Sequence, residues 1–365
     1  MKRKIIIVDT TLRDGEQQAL INFNKEQKLE LAEIIKNIGV DFIDLMPISN
    51  YLETEVCESL QKYPLLLSTP LTDEAIGLSS RFNQNIVFFQ AVSDDLLKIR
   101  NNQATVEDVR RYNIERFKEI LPKIKEKTQG KIKIFIAGED SSRANLDYLI
   151  SFIKSVQEYI DGFFFCDSIG YLISDKTTEI ISKIKKEITC MLGIHTHNDL
   201  GFADKNTVEA VLAGADIISG TFTGIGERAG NANLGNVVKI LREKGIILDN
   251  INYSLVEKAE KLVYKFAKRK PAKPFSKEAF YVETGMHVNA LLDSPVGYSL
   301  FNPALLGFEH EVFFGKKCGI SNFRWYFKDK FSDEDYATFR DKIKKVSIEK
   351  NKSFSFNEAK KILNI

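Results

Sequence analysis

The stretch Ile188-Thr189-Cys190-Met191-Leu192-Gly193-Ile194-His195-Thr196-His197-Asn198-Asp199 reads as a short apolar strand that ends in two histidines. On an extended strand residues i and i+2 point the same way. His195 and His197 therefore stand side by side at the strand's end, where two imidazoles can grip one cation. The chain holds only four histidines, and this stretch uses two of them. A third ligand is missing locally. The best donor is Asp14, in Asp9-Thr10-Thr11-Leu12-Arg13-Asp14-Gly15-Glu16-Gln17, which follows another short apolar run, Ile5-Ile6-Ile7-Val8. Two strand ends so far apart in sequence meet only in a fold that gathers strand ends on one face.

Composition is compatible with such a fold. The chain has 365 residues, 44% of them hydrophobic, enough for a large core. It carries 52 basic and 50 acidic residues, a formal net charge of +2. Near-neutrality gives no support for nucleic acid as a main partner. The four cysteines, Cys57, Cys166, Cys190 and Cys318, form no C-x-x-C pair and read as free thiols of a reducing compartment. The basic start, Met1-Lys2-Arg3-Lys4, precedes only four apolar residues before Asp9, too few for a signal peptide. No apolar run approaches membrane-spanning length, so the expected setting is cytoplasmic, with no membrane.

Short β-branched or aromatic runs alternate with longer amphipathic segments. Candidate strands are 4–8, 41–45, 65–68, 86–90, 131–136, 162–165, 191–195 and 217–220. Candidate helices are 25–37, 51–62, 72–80, 105–128, 143–159, 176–187, 205–213 and 235–244. Strand followed by helix, repeated, indicates parallel βαβ units. Eight of each over roughly 250 residues is the count of a TIM (β/α)8 barrel, with an open doubly wound sheet as rival. The barrel is favoured because site candidates follow the first, fifth, sixth, seventh and eighth strands. A closed barrel brings all those loops together, whereas an open sheet gathers only those at its switch point. Past Lys261-Leu262-Val263-Tyr264 the pattern changes. Lys268-Arg269-Lys270-Pro271-Ala272-Lys273-Pro274 suggests an exposed linker. A Gly-, Pro- and aromatic-rich stretch, 275–319, and a charged helical tail, 332–365, follow. The expected division is a catalytic barrel over 1–265 and a linker with a small C-terminal lid appendage over 266–365.

With those pieces in place, the chain resembles the acyl-CoA-condensing branch of the DRE-TIM metallolyases, which holds homocitrate, 2-isopropylmalate and citramalate synthases. The matching segments are Asp9–Gln17, Gly138-Glu139-Asp140 with Arg143, Asp167-Ser168-Ile169-Gly170, His195–Gly201 and Gly224-Ile225-Gly226-Glu227-Arg228-Ala229-Gly230-Asn231. They continue with Thr284-Gly285-Met286-His287, Tyr298, Pro303, Gly307 and Gly315-Lys316-Lys317-Cys318-Gly319. The ordered set is specific and covers nearly the whole chain. In size it is closest to homocitrate synthases without a regulatory domain.

The resemblance implies a role for each segment. Asp14, His195 and His197 hold a divalent ion; the mixed N/O set suits zinc, magnesium or manganese. Asp199 reads either as an acceptor behind an imidazole or as a helix N-cap or turn aspartate. Arg13 faces the oxygen that becomes an alkoxide, and Gln17 the substrate carboxylate. Glu16 reads equally as a structural acceptor. Gly224 and Gly226 lie where backbone approaches a bound cofactor, Asn231 is a candidate for holding the metal or backing one of its ligands, and Glu227 and Arg228 read as a structural pair. His287 takes the proton, supported by Glu139, with Tyr298 as a lid tyrosine. His is suited to that task because its pKa lies near operating pH. His310 has no motif around it and reads as a surface residue. The implied partners are acetyl-CoA or another acyl-CoA and a 2-oxo acid, in a homodimer that exchanges lids.

Three positions depart from the family pattern. Ser168 replaces a threonine but keeps a hydroxyl for the substrate carboxylate. Asp44-Leu45-Met46 replaces Glu-x-Gly or Glu-x-Thr and reshapes the pocket around the oxo acid's side chain. Phe135 stands where some homocitrate synthases carry a basic residue for the distal carboxylate of 2-oxoglutarate. The implied reaction is a Claisen-type condensation of an acyl-CoA with a 2-oxo acid, homocitrate synthase-like. The alternatives are isopropylmalate or citramalate synthase-like specificity, a retro-aldol lyase on the same barrel, and a non-catalytic ligand-binding relative.

Overall fold

The computed structural model describes residues 4–101 and 104–365. Met1-Lys2-Arg3, most of the basic start, lies outside the described residues. Eight parallel strands close into a barrel in sequence order: β1 (Ile6–Asp9), β2 (Phe42–Leu45), β3 (Leu65–Pro70), β4 (Asn85–Ala91), β5 (Ile134–Glu139), β6 (Gly162–Asp167), β7 (Met191–Thr196) and β8 (Ile217–Gly220). β8 pairs back onto β1 through Ile6↔Ile217 and Asp9↔Gly220, which closes the ring. The expected TIM barrel is present, and each candidate strand falls on a real one.

Strand alternation divides the apolar residues into two cores. Val8, Phe42, Leu66, Val87, Phe135, Phe164 and Cys166 point inward and pack against one another. Their neighbours Ile7, Ile43, Leu65, Leu67, Ile86, Phe88, Ile134, Ile136 and Phe163 point outward into the helical layer. Period-two alternation with both faces buried gives near-continuous apolar strands. Gly193 is needed here: a Cβ would stand 2.7 Å from the Phe164 ring, which fills the barrel interior.

The outer layer holds α1 (Lys25–Ile38), α2 (Tyr51–Ser59), α3 (Asp73–Ser80), α4 (Asp94–Arg100), α5 (Val106–Lys127), α6 (Leu146–Val156), α7 (Ser174–Glu187), α8 (Ala203–Leu212), α9 (Leu234–Glu243) and α10 (Val256–Ala267). Two helices go beyond the sequence reading. α4 is capped by Ser93 but spans only seven residues, too few to show a period. α10 runs across the expected boundary at 265/266 and packs on α1 and α9.

Beyond it lie β9 (Tyr281–Val282), α11 (Gly285–Asp293), β10 (Glu311–Val312), α12 (Ile320–Phe327), α13 (Asp333–Lys350) and α14 (Phe356–Leu363). The expected single helical tail is thus two helices, broken where Asn351 turns left-handed at φ 46°. α12, α13 and α14 share a small aromatic core around Phe314, Phe323 and Tyr336. A second cluster, with Val288, Leu291 and Tyr298 against Leu96 and Leu97, seats the lid on α4. Among the described residues no helix is long and apolar enough to cross a membrane.

Candidate active site

β1 ends at Asp9, whose carboxylate accepts the Thr11 N–H at 3.1 Å and the Thr11 hydroxyl at 2.7 Å. Thr11 Oγ1 in turn accepts the Phe222 N–H at 2.9 Å, joining the turns after β1 and β8. A widened turn follows, in which the Gly15 N–H reaches back to the Thr10 carbonyl at 3.0 Å. Such i→i+5 turns recur at functional sites; this one aims Asp14 at the barrel axis. Asp14 Oδ2 lies 3.4 Å from His195 Nε2 and 3.9 Å from His197 Nε2. The two imidazole nitrogens are 3.3 Å apart. The three residues gather from the start and the middle of the chain and are all buried.

This donor set fits a divalent cation. Ligand atoms about 2.1 Å from one ion stand roughly 3.0–3.4 Å from one another at octahedral to tetrahedral angles; two of the three separations, 3.3 and 3.4 Å, match, and the Asp14–His197 separation of 3.9 Å is wider. His195 Nδ1 lies 3.1 Å from Ser219 Oγ, and its Nε2 faces Asp14 and His197. Burial, with Arg228 and the other histidines helping, holds His197 well below its ordinary pKa, so its ring is neutral as a ligand must be. Burial pushes the Asp14 carboxyl up, but Arg13, His197 and His195 outweigh it and keep it ionised well below its usual range.

Arg13 flanks the triad. Its Nη1 lies 3.0 Å from Asp14 Oδ2, and its Nε and Nη2 donate to Asp44 Oδ2 at 2.8 and 2.7 Å. Asp44 also accepts from the Thr10 and Ser68 hydroxyls at 2.9 and 2.7 Å. Burial opposes the Arg13 charge, but Asp44 and Asp14 raise its pKa above the ordinary value. Asp44 therefore corrects its expected role: it lines the cavity, yet its oxygens are spent on fixing Arg13. Gln17 and Met46 stand at the cavity wall as expected. Ser168 lines it too; its Oγ accepts the Asp140 N–H at 2.8 Å, leaving its O–H to donate.

The glycine-rich loop serves the site indirectly. Asn231 Nδ2 donates to Asp14 Oδ1 at 2.9 Å and to the Ile225 carbonyl at 3.2 Å. A Cβ on Gly226 would stand 1.9 Å from that nitrogen. Gly224 accepts the Asn231 N–H through its carbonyl at 3.0 Å. None of the three lines the central cavity. The correction concerns Gly224 and Gly226, which pack the loop on itself rather than approach a cofactor, whereas Asn231 stands behind Asp14, one of its two expected places. Arg228 does not pair with Glu227. Its guanidinium grips Asp199 at 2.8 and 3.1 Å and the Ser168 carbonyl at 2.6 Å. Asp199 is accordingly a turn aspartate that binds Arg228, neither an N-cap nor an acceptor behind an imidazole.

The lid brings His287 and Tyr298 over the same cavity, their rings stacked with centroids 3.9 Å apart. His287 Nδ1 lies 2.9 Å from Glu227 Oε1, an ion-pair approach that falls outside hydrogen-bond alignment. Glu139, the expected partner, is instead clamped by both Arg100 nitrogens at 2.6 and 2.7 Å. Burial would push Glu139 up, but Arg100 wins and holds it low and ionised. Burial, then the Glu139 charge, raise the Tyr298 hydroxyl well above its ordinary value, so it stays protonated and donates to that carboxylate. The reason for the correction is chain geometry: Glu227 leaves β8 beneath α11, while Glu139 faces α4. Its one sequence signal was adjacency to Arg228, and that pointed to the wrong partner. His310 is also corrected. It is half-buried, with Nε2 3.0 Å from the Pro295 carbonyl, and burial lowers its pKa. In the single chain the lid residues Met286, His287 and Tyr298 line that chain's own cavity.

The HMGL-like family pattern matches residues 4–263. The chain belongs to the HMGL-like family. Among relatives of this HMGL-like barrel, a protein of Archaeoglobus fulgidus assigned as (R)-citramalate synthase CimA is 34% identical over 87% of this chain, which spans 65% of that relative's length. Homocitrate synthase AksA of Methanosarcina acetivorans is 30% identical over 98% of this chain and 90% of its own. The hydroxymethylglutaryl-CoA lyase of Pseudomonas aeruginosa superposes with a TM-score of 0.63 at 17% identity, covering 76% of this chain and 97% of its own. That likeness confirms the barrel.

Proposed function

We infer that the protein is an acyltransferase that condenses an acyl-CoA, such as acetyl-CoA, with a 2-oxo acid. The products are a 2-hydroxy-2-alkyl diacid or triacid and free CoA. The observation that carries this reading is the convergence of Asp14, His195 and His197 in one cavity with His287, which Glu227 meets from behind. The synthase names of the relatives support condensation over the retro-aldol alternative.

A divalent ion held by Asp14, His195 and His197 would act as a Lewis acid toward the 2-oxo acid's carbonyl. The chain's own groups do the rest. His287 has Nδ1 turned to Glu227, so Nε2 is free to remove a proton from the thioester methyl. The resulting enolate carbon forms a bond to the keto carbon, and the carbonyl π pair moves onto oxygen. Arg13, held rigid by Asp44, places a fixed positive charge beside that oxygen. Tyr298, anchored to Glu139, stacks on the imidazole and covers it from solvent. Water then adds to the thioester carbon and the CoA thiolate leaves. Gln17 and Ser168 offer donors to the substrate carboxylate. A homodimer, drawn from the resemblance, and a cytoplasmic setting, drawn from the free thiols, complete the proposal.

Release of thiol from acetyl-CoA across a panel of 2-oxo acids tests the reading. Exhaustive chelation is expected to abolish release, and zinc, magnesium or manganese to restore it. Asp14→Ala or His195→Ala should behave like the chelated protein. Full turnover after chelation would sink the metal role. Pyruvate release from hydroxy-oxo acids, with no thiol release, would favour the lyase.

A further inference from the structure

The floor of the central cavity is made by the barrel interior. Val8, Leu66, Val87, Ala137, Phe164 and the Cys166 thiol form it. Beneath them Phe135 is fully buried, its ring edge-on to Phe42 at 6.1 Å and to Phe164 at 5.7 Å. The polar groups lie higher, at the strand ends and in the lid. Of the lining residues, Arg13 is the one lysine or arginine, against three carboxylates, Asp14, Asp44 and Glu139. Arg13 is consumed by two of those carboxylates. The third is taken by Arg100. The nearby Ser68 hydroxyl is committed as well, to Asp44.

A second carboxylate on the substrate, pointing into this floor, would meet no free cation and few free donors. A buried, unpaired charge is strongly disfavoured. An alkyl side chain there would instead exchange water for apolar contact. We propose that the protein selects 2-oxo acids with a short, uncharged alkyl side chain and rejects 2-oxo dicarboxylic acids, with the Val8–Leu66–Val87–Ala137–Phe164 floor as the determinant. This rests on the condensation reading above for its orientation, in which the triad holds the oxo-carboxylate end and the side chain points to the floor.

The test compares pyruvate, 2-oxobutyrate and 2-oxoisovalerate with oxaloacetate and 2-oxoglutarate as partners of acetyl-CoA. The best alkyl acid is expected to exceed either dicarboxylate in kcat/KM by at least about 100-fold. Equal or better turnover of 2-oxoglutarate or oxaloacetate overturns the selectivity while leaving condensation intact. Silence with every acid would instead count against condensation. Calorimetric titration of the zinc-loaded protein with 2-oxoisovalerate and with 2-oxoglutarate then reads the floor alone. Tighter 2-oxoisovalerate binding supports the proposal, and equal affinity defeats it. Ala137→Lys places an ammonium on the half-buried floor position. It should move the ratio of the two affinities toward the dicarboxylate by about tenfold or more; an unmoved ratio removes Ala137 from the determinant.

Discussion

Glu227 shows how a single side chain changes meaning between sequence and fold. It sits beside Arg228 in the chain, yet Arg228 turns to Asp199 and Glu227 turns to His287. A carboxylate behind a catalytic imidazole holds the ring's orientation and offsets its charge after proton uptake. Glu227→Gln should therefore lower kcat by about 10²-fold or more with little change in KM. Glu139→Gln acts through the Arg100 and Tyr298 contacts and should cost less in kcat than Glu227→Gln. Steady-state kinetics on the two variants settles the order; a larger loss for Glu139→Gln would restore the partner that the sequence suggested. His195, His197 and Asp14 are the opposite case. Strand spacing alone put the two imidazoles together, and their meeting with Asp14 needed only a fold that gathers strand ends.

At the scale of elements, alternation along eight strands was readable, because apolar runs of four to seven residues bounded by polar turns leave few other choices. Short or seam-crossing elements were not. α4 has one clear cap and no period, and α10 continues past the composition change that marked a boundary. The loop after β8 carries its own lesson. Its glycines look made for a ligand, but Gly226 is small so that Asn231 can reach Asp14. Gly226→Ala should displace the Asn231 amide, loosen Asp14 and weaken metal affinity by about 10- to 100-fold, as loss of an outer-layer partner does. Competition titration against a metallochromic chelator measures this, with circular dichroism confirming an unchanged fold. Unchanged affinity would show that Asn231 does not brace the ligand.

The whole molecule is joined by buried lysines. Lys28 of α1 meets Glu16 and Glu53 at 2.7 and 2.6 Å. Lys316 of the appendage reaches the same two acids at 2.7 and 3.4 Å and the Phe23 carbonyl at 2.9 Å. Lys317 beside it meets Glu283 at 3.2 Å and three carbonyls of residues 16–21. Two acids and two ammonium groups balance, so removing one leaves a buried charge unpaired. Lys316→Met should destabilise the fold by about 3–5 kcal/mol in denaturant unfolding. Burial raises the Glu16 pKa, but Lys28, Lys316 and Lys317 overcome it and hold the group at about 2, against an ordinary 4.5. A depressed carboxyl gives stability that is complete above the unfolded value and fades as pH falls from 4.5 toward about 2. The denaturant midpoint should drop across that window, and less steeply in Lys316→Met. Equal slopes in both proteins would remove Lys316 from the linkage.

The amino-acid order by itself determined the barrel, the place of the C-terminal appendage and the meeting of Asp14, His195 and His197. Those follow from local periodicities and from side chains two apart on a strand, which need no knowledge of distant neighbours. Only the tertiary structure decided that Asp44 holds Arg13, that Glu227 rather than Glu139 backs His287, and that the barrel interior under the site is apolar. Each is a pairing across dozens or hundreds of residues. A carboxylate between competing cations takes the one that the packed backbone brings within reach, and sequence adjacency does not set that distance.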